Sequence, residues 1–463
     1  MDQRPVFDLE LIRRYDKPGP RYTSYPTAPN FTPQVDADAL ARTVRESNAA
    51  DPLGGPPPDL SLYVHLPFCE RLCYFCGCNM VVRRDHARSY PYLDKLEREM
   101  DAWAALVSRK RKVRQAHFGG GTPTFLPPDA LDRLIVSLKG RFEFAPDAEL
   151  GVEVHPNETR REHLEVMARH GWNRISMGVQ DFDEEVQRTI NRVQPEELTR
   201  RTVEDARELG YRSVNVDLIY GLPHQTVKRF ATTVDKVLAM SPDRLAVFNF
   251  AFLPDLLKHQ RLLPEAALPS PAEKLAILAM TIEKLTGAGY VFIGFDHFAK
   301  PDDELAVAQR NGTLHRNFQG YTTWKGLDLV ALGVSAISNV GRAYAQNEKD
   351  LATYEAIAGR GGLATARGFL MSDDDLLRRD VIMTLASSFV VRKREIEERY
   401  RIAFDAYFAR ALERLAPMQD DGLVELHADR IEVTPRGRMV VRNLCMPFDA
   451  YLDSGPKLFS RTV

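Results

Sequence analysis

The chain has 463 residues, of which 44% are hydrophobic and 27% are charged, a composition that can bury a globular core. That length suits one large domain and a smaller one. The formal net charge of -2 lacks the basic excess that a global nucleic-acid footprint requires, so nucleic acid is not an expected partner.

The N-terminal segment MDQRPVFDLE is polar and acidic, without the basic and apolar regions of a secretory signal. No apolar run approaches the roughly 18 residues that span a bilayer. We therefore expect a cytoplasmic protein without a membrane span, in a compartment where thiols stay reduced. Residues 1–58 carry few periodic apolar segments and several prolines, which predicts an extended arm that ends in the loop DPLGGPPPD.

Beyond this arm, short apolar segments alternate with amphipathic helical patterns. Six successive β–α repeats predict a parallel sheet with helical crossovers, either an open doubly wound sheet or a full or partial barrel. In both folds the chemistry lies at the C-terminal ends of the strands, where glycine and polar residues gather in this sequence. The strand candidates, which are rich in β-branched and aromatic residues, lie at 60–68, 115–124, 150–156, 174–180, 213–223 and 244–253.

The rest of the chain shows no further β–α repeat. Residues 270–289 predict one more helix, followed by a long polar loop up to about residue 360. The last segment predicts a small, mainly helical domain that contains one hairpin. A winged-helix DNA-binding domain is an alternative, but the segment is rich in Asp and Glu and has no basic stripe. The predicted organisation is an N-terminal arm (1–58), a catalytic domain (59–365) and a C-terminal domain (366–463).

Four of the five cysteines lie within ten residues, in the spacing Cys69-x3-Cys73-x2-Cys76-x-Cys78. Clustered thiols in a reducing compartment indicate a metal site, and thiolates suit iron–sulfur clusters, zinc or copper(I). A structural zinc site usually takes ligand pairs from two separated segments, and no second Cys or His cluster is obvious here. An iron–sulfur cluster is therefore favoured. Three protein thiolates would leave one iron of a cubane open to a chelating substrate.

The C-x3-C-x2-C spacing after the first strand resembles the signature of the radical S-adenosylmethionine (SAM) superfamily. A longer set of segments, from about residue 8 to 462, resembles the oxygen-independent coproporphyrinogen III oxidases (coproporphyrinogen dehydrogenases). These segments include PRYTSYPTA, GGGTPT, SMGVQDF, NVDLIYGLP, LHRNFQGYTT and LGVSAIS, in this order. The resemblance implies an α/β fold: a partial (β/α)6 TIM-like barrel of the radical SAM type, with an N-terminal extended arm and a smaller, mainly helical C-terminal domain.

The resemblance also implies residue roles. One [4Fe-4S] cluster would be bound by Cys69, Cys73 and Cys76, with SAM on the fourth iron and with Cys78 outside the cluster. The first SAM site would be lined by Tyr63, Phe75, Gly120, Glu153 and Ile337. A second SAM-sized pocket alongside would be lined by Gly121, Thr122, Gln180, Arg192, Asp217 and Ala251. The candidate catalytic residues are Tyr63, His65 and Cys78, although a histidine inside a strand is more often a packed core residue.

The implied activity is the anaerobic oxidative decarboxylation of two propionate side chains of coproporphyrinogen III to vinyl groups. The product would be protoporphyrinogen IX, in haem biosynthesis. A reductant such as flavodoxin or ferredoxin would supply electrons, and we expect a monomer. The alternative function is a haem-binding chaperone of the same family without decarboxylase activity. Because the substrate carries propionates, its pocket needs cations, and the candidates, each of which could also be a solvated surface cation, are Arg21, Lys300, Arg310 and Arg316.

Overall fold

A computed structural model describes residues 5–452 and Phe459 of the chain. These residues form two compact units that are each assembled from separated stretches of sequence. Unit 1 comprises residues 5–31, 278–325 and those from 371 onward, and unit 2 comprises Thr32–Ile277 and Gly326–Leu370. The domain boundaries predicted after residues 58 and 365 describe consecutive stretches of chain rather than packed units, and they stay a prediction.

The helices are α1 (Leu9–Tyr15), α2 (Ala37–Ser47), α3 (Ser89–Leu106), α4 (Pro128–Arg141), α5 (Arg161–Arg169), α6 (Glu184–Thr189), α7 (Glu196–Glu208), α8 (Val227–Met240), α9 (Pro271–Gly287), α10 (Glu304–Asn311), α11 (Leu351–Ala358), α12 (Asp373–Ser388), α13 (Lys393–Tyr400), α14 (Phe404–Tyr407), α15 (Ala409–Asp420) and α16 (Val441–Cys445). The strands are β1 (Leu60–Leu66), β2 (Phe68–Cys69), β3 (Val81–Val82), β4 (Val113–Gly120), β5 (Phe144–Val154), β6 (Arg174–Gln180), β7 (Ser213–Tyr220), β8 (Arg244–Asn249), β9 (Val291–Gly294), β10 (His297–Ala299), β11 (His315–Asn317), β12 (Gly320–Thr322), β13 (Asp328–Leu332), β14 (Ile337–Val340), β15 (Ala343–Asn347), β16 (Thr365–Leu370), β17 (Val390–Arg392), β18 (Val424–Leu426) and β19 (Arg430–Val433).

Unit 2 is built on a parallel sheet in which β1, β4, β5, β6, β7 and β8 lie side by side in chain order. These are the six strands expected from the sequence, with helices between them, and the α/β fold class is confirmed. A doubly wound sheet reverses its strand order at a switch point, whereas this order runs in one direction, as in a barrel. All the C-terminal strand ends therefore meet along one edge.

Alternate residues of β1 are buried on one face of the sheet. Leu62, Val64 and Leu66 are completely or almost completely buried, as expected for a strand covered on the side where crossover helices pack. The residues between them, Tyr63 and His65, point to the other face of the sheet because side chains alternate along a strand. This face carries most of the site residues described below.

Residues 326–370 do not form the long polar loop that the sequence predicts. They form β13, which pairs in parallel with β1, and then β14, β15 and β16, which extend the sheet with antiparallel pairing. The expectation of a loop was wrong because these strands are only four to six residues long. Such short segments carry too few alternating positions for a periodic signal.

Unit 1 contains the predicted C-terminal elements, including α12 and the hairpin of β18 and β19. The hairpins β9–β10 and β11–β12 belong to the same unit. The N-terminal arm contains helices α1 and α2, and an extended stretch with one short 3-10 turn connects them. Among the residues with a described structure, no helix has both the length and the apolar character needed to cross a bilayer.

Candidate active site

The four clustered cysteines lie on the segment that follows β1. The short strand β2 ends at Cys69 and pairs with β3, so the two ends of the cysteine loop are held side by side. The loop is held by hydrogen bonds to the segment after α6. The Tyr74 amide donates to the Ile190 carbonyl at 3.0 Å, and the Asn191 side chain donates to the Leu72 carbonyl at 2.8 Å. The loop is therefore fixed by unit 2 itself.

All four thiols line one cavity of about 310 Å³. Cys69 Sγ lies 3.5 Å from Thr122 Oγ1, and Arg192 Nη1 donates to Cys73 Sγ at 3.6 Å. Cys76 Sγ accepts from the Cys78 amide at 3.4 Å. None of the cysteines is in a disulfide. Thiols that face a common cavity in this way suit a metal centre held on one side by a single loop.

The spacing of the thiols argues against a single zinc ion. Four sulfur ligands about 2.3 Å from one zinc lie roughly 3.8 Å from one another. In the described part of the chain, no three of the cysteine sulfurs all lie within 4.8 Å of one another. The three potential ligand atoms that do lie this close belong to Glu425, His427 and Glu432. A cubane spreads its thiolates over different irons, so the wider arrangement fits a [4Fe-4S] cluster.

The thiols differ in acidity. Burial raises the pKa of Cys69 to about 12, and it also raises the pKa of Cys73. The hydrogen bond donated by Cys78 lowers the pKa of Cys76 to about 6. Metal ions bind the thiolate form, so a cluster held by Cys69 and Cys73 would have to displace their protons.

The glycine-rich turn after β4 forms another wall of the cavity. A Cβ on Gly120, which has φ of +114°, would lie 2.7 Å from the His65 ring. A Cβ on Gly121 would lie 2.6 Å from the Phe68 carbonyl oxygen. The Gly121 amide donates to the Leu66 carbonyl at 2.8 Å. Both positions exclude side chains, and the bare backbone faces the cavity as close approach of a ligand requires.

Glu153, next to the last residue of β5, places a carboxylate in the cavity wall. One of its oxygens accepts from the Gly120 amide at 3.3 Å, and the other lies 3.2 Å from His117 Nε2. Burial acts to raise the pKa of Glu153, but the hydrogen bond and charge of His117 outweigh it, and the pKa is lowered. An ionised carboxylate with remaining lone pairs can accept hydrogen bonds from a hydroxyl or ammonium group.

Gln180 and Arg192 bring unpaired polar atoms to the same cavity. Gln180 Oε1 and Arg192 Nε are buried and have no hydrogen-bond partner. Arg192 Nη2 donates to the Gly178 carbonyl at 2.5 Å, which fixes the guanidinium. Gln180 has φ of +68°, an uncommon conformation for a non-glycine residue that is often found at functional positions. Buried unpaired groups in a cavity wall are typical of a ligand site.

Asp217 near the end of β7 completes this side of the cavity. It accepts hydrogen bonds from Asn215 Nδ2 at 2.7 Å and from Ser176 Oγ at 3.3 Å. Burial, followed by the charge of Glu153, raises the pKa of Asp217 to about 7. The site therefore has two carboxyl groups whose pKa values move in opposite directions, so Glu153 is the stronger acceptor at neutral pH.

Four of the predicted site residues do not line the cavity. The Tyr63 hydroxyl lies 3.2 Å from His65 Nδ1, and His65 Nε2 lies 2.8 Å from the Asn79 carbonyl, so both ring nitrogens of His65 have partners. Tyr63 stacks on His117, the partner of Glu153, at 6.3 Å. Ala251 accepts from Gln260 Nε2 through its carbonyl at 3.2 Å, and Ile337 is a half-buried residue of β14. The roles proposed for these residues stay predictions.

The structure also adds residues that the sequence did not single out as site residues. They line the cavity with the predicted set and are Arg71, Met80, Val154, His155, Ser176, Gly178 and Phe248. Ser176, Gly178 and Gln180 are alternate residues of β6, as expected for one face of a strand. Applying the two-residue period backward from a strand-end residue would have identified Ser176 and Gly178.

The comparisons with known proteins agree with this geometry. The model of the radical SAM superfamily matches residues 63–237, and that of the HemN C-terminal domain matches residues 371–440. The oxygen-independent coproporphyrinogen III oxidase of Escherichia coli (strain K12) is 48% identical over 463 residues, with 100% of this chain and 99% of that protein covered. The Pseudomonas aeruginosa protein of the same name is 48% identical over 460 residues, with 99% of each covered. A solved structure described as "Coproporphyrinogen III oxidase (HemN) from Escherichia coli is a Radical SAM enzyme" matches with a TM-score of 0.91 and 48% identity, covering 97% of this chain and 100% of that one.

Proposed function

This chain belongs to the oxygen-independent coproporphyrinogen III oxidases, which are radical SAM enzymes, and on that premise we propose that it converts coproporphyrinogen III to protoporphyrinogen IX. Its cofactors are one [4Fe-4S] cluster and SAM. The observation that carries the proposal is the single cavity that joins the three predicted iron-binding thiols to the glycine turn and Glu153.

The residues that line the cavity have separate proposed roles. Cys69, Cys73 and Cys76 would hold the cluster, and Glu153 and the backbone at Gly120 would hold SAM. When bound and reduced, the cluster and SAM together supply a primary carbon radical that removes a hydrogen atom from an unactivated C–H bond. The propionate side chain that has lost this hydrogen atom would then release CO2, pass one electron to an external one-electron acceptor, and become a vinyl group.

The remaining lining residues support this chemistry by position and by excluding water. Arg192 and Gln180 offer a buried donor and a buried acceptor without partners, which suits the polar end of an amino acid or the carboxylate of a second SAM. Phe75, Met80 and Phe248 contribute apolar surface to the cavity. A dry, fixed environment keeps a reactive radical from side reactions and holds the reacting atoms in line.

The proposal includes a cytoplasmic location, a monomeric enzyme and an external electron donor such as flavodoxin or ferredoxin. The free, clustered thiols support the cytoplasmic location, because thiols stay reduced in that compartment. Light scattering coupled to size-exclusion chromatography tests the monomer. Comparing turnover with flavodoxin, ferredoxin and dithionite tests the donor, and a protein donor should match or exceed the rate with dithionite.

The decisive experiment is anaerobic reconstitution with iron and sulfide, followed by assay with SAM, a reductant and coproporphyrinogen III. The expected products are protoporphyrinogen IX, CO2 and 5'-deoxyadenosine. An intact cluster that yields neither vinyl product nor 5'-deoxyadenosine would refute the proposal. Tight haem binding by the same preparation, without decarboxylation, would instead support a haem-binding chaperone.

Replacing Glu153 by Gln is expected to lower the affinity for SAM about tenfold or more, because a hydrogen bond to a charged group contributes about 1.5–3 kcal/mol. Equilibrium dialysis with reconstituted protein measures the change. Glu149→Gln is a matched control on the same strand, since Glu149 pairs with Gln115 and Arg174 and does not line the cavity. Equal affinity losses in the two variants would argue for a general effect on β5 rather than for a contact with SAM.

A further inference from the structure

Unit 1 contains three arginines that the proposed cofactor site does not use. Arg21 lies on the N-terminal arm, Arg316 on β11 and Arg442 on α16. Burial, followed by the charge of Arg21 and more weakly that of Arg316, lowers the pKa of Arg442 to about 10, while Asp296 acts in the opposite direction. Arg21 and Arg316 therefore each lie close enough to Arg442 for their charges to oppose its own.

Arg316 has free donors in a buried position. Its guanidinium lies over the Phe295 ring at 4.1 Å from the centroid and 5.1 Å from the centroid of Tyr321, its cross-strand partner. Its Nε and Nη1 are buried without a hydrogen-bond partner. Burying an unpaired donor costs about 1–3 kcal/mol, more when the donor is charged. A buried donor without a partner is therefore expected where a ligand supplies the missing acceptor.

Arg442 holds the backbone on which Arg21 lies. Its Nε donates to the Pro20 carbonyl at 3.0 Å, and its Nη2 donates to the Gly19 carbonyl at 2.5 Å. On the other side of Arg21, the Tyr22 hydroxyl donates to Asp449 at 3.1 Å. Arg21 itself forms no hydrogen bond or ion pair with any residue that the structure describes. The fold thus fixes the backbone on both sides of Arg21, with the Arg442 guanidinium against it.

The other two cations that the sequence offered are engaged elsewhere. Arg310 is exposed and donates to the Pro301 carbonyl at 2.7 Å, and Lys300 has interaction partners of its own. Arg21 and Arg316 thus both lie near Arg442 and both have guanidinium N–H groups without an acceptor among the described residues. Such N–H groups suit a carboxylate, because they form strong charge-assisted hydrogen bonds to it.

We propose that Arg21 and Arg316 form a carboxylate-binding subsite for a propionate side chain of the tetrapyrrole substrate. Arg442 is a positioning residue that holds Arg21 in place. The inference rests on the proposed function for the identity of the ligand. Beyond that function, the inference identifies two of the four candidate cations as the ones that bind the substrate, and it states that they act as a pair.

The test measures binding of coproporphyrin III, the stable oxidised analogue of the substrate, to the reconstituted holoenzyme by fluorescence quenching. Arg316→Gln and Arg21→Gln are each expected to weaken binding about tenfold to a hundredfold, since each removes a charged donor. Arg316→Lys should recover only part of the loss, because an ammonium group lacks the planar guanidinium fork that lies over the Phe295 ring. Arg310→Gln is the matched control and should bind as wild type does.

A second ligand separates a carboxylate contact from a structural effect. The tetramethyl ester of coproporphyrin III, assayed in the same detergent, lacks the charged groups, so the penalty of Arg316→Gln should disappear with it. Equal losses for acid and ester, or no loss for the acid with an intact cluster, would overturn the proposal. For Arg442→Lys we expect a loss that is not additive with that of Arg21→Gln, whereas an independent structural effect would be additive.

The same variants distinguish this inference from the function on which it rests. If wild type binds coproporphyrin III through Arg316 but forms no vinyl product, the function fails and the subsite stands. If Arg316→Gln forms product with an unchanged KM, the subsite fails and the function stands. The expected result is a KM raised about tenfold or more, with iron content unchanged.

Discussion

Alanine at Cys69, Cys73 or Cys76 is expected to abolish cluster binding, reducing iron from about four atoms per chain to near zero after anaerobic reconstitution. These thiols line a single cavity, and in the proposed assignment each one binds a different iron. Losing one thiolate leaves two irons without a protein ligand, because SAM occupies the fourth position. Iron and sulfide analysis, together with the visible absorption of the cluster, measures the effect. Formation of 5'-deoxyadenosine should fall to background.

Two further cysteine variants serve as controls. Cys445 is completely buried in unit 1, where its thiol donates to the Ile382 carbonyl at 3.6 Å, so Cys445→Ala should keep its iron and lose only about 1 kcal/mol of stability. Cys78→Ala should also keep its iron, since in the proposed assignment Cys78 is not a ligand and only forms hydrogen bonds to Cys76. Loss of the cluster in Cys78→Ala, with retention in Cys69→Ala, would contradict the assignment.

Gly121→Ala is expected to destabilise unit 2 by about 3–5 kcal/mol and to prevent stable cluster binding. The new Cβ would lie 2.6 Å from the Phe68 carbonyl oxygen and 2.7 Å from the Pro67 carbonyl carbon, which are backbone atoms that no rotamer change can move. Overpacking costs about 1–3 kcal/mol, and two backbone hydrogen bonds, from Gly121 to Leu66 and from Thr122 to Phe68, would be strained as well. Because Phe68 precedes Cys69, the displacement reaches the cysteine loop.

Gly140→Ala is the matched control, with an expected effect of opposite sign. Gly140 is the penultimate residue of helix α4, and a Cβ there would meet no atom within 4 Å. Alanine is a better helix former than glycine, so this variant should be more stable by about 0.5–1 kcal/mol. Urea unfolding, monitored by circular dichroism, compares both variants with wild type. A neutral Gly121→Ala variant with a full complement of iron would contradict the role given to this turn.

Much of the catalytic unit could be predicted because its signals are local. Each of the six parallel strands carries a run of β-branched or aromatic residues that ends in glycine, proline or a polar residue, and all six occur close to the predicted positions. The cysteine spacing lies within one loop and needs no knowledge of the fold. Glu153, Gln180 and Asp217 were identifiable because the ends of parallel strands meet at one edge.

The missed elements are those whose formation depends on a distant partner. β13 has five residues, all buried, and pairs in parallel with β1, which lies more than 260 positions earlier. His117 has no motif of its own, yet it becomes the partner of Glu153 when β4 and β5 pair. Such short or isolated signals become visible only when pairing has brought the residues together.

The sequence by itself determined the parallel α/β class, the cysteine loop and the strand ends that face a common cavity, because periodicity and cysteine spacing act over a few residues. Only the tertiary structure decided that unit 1 assembles from three separated stretches, and that Arg442 donates to the Pro20 carbonyl across 422 positions. It also decided which cations are left unpaired. Burial and pairing are properties of the packed chain, and they convert a solvated arginine into a buried donor that needs an acceptor.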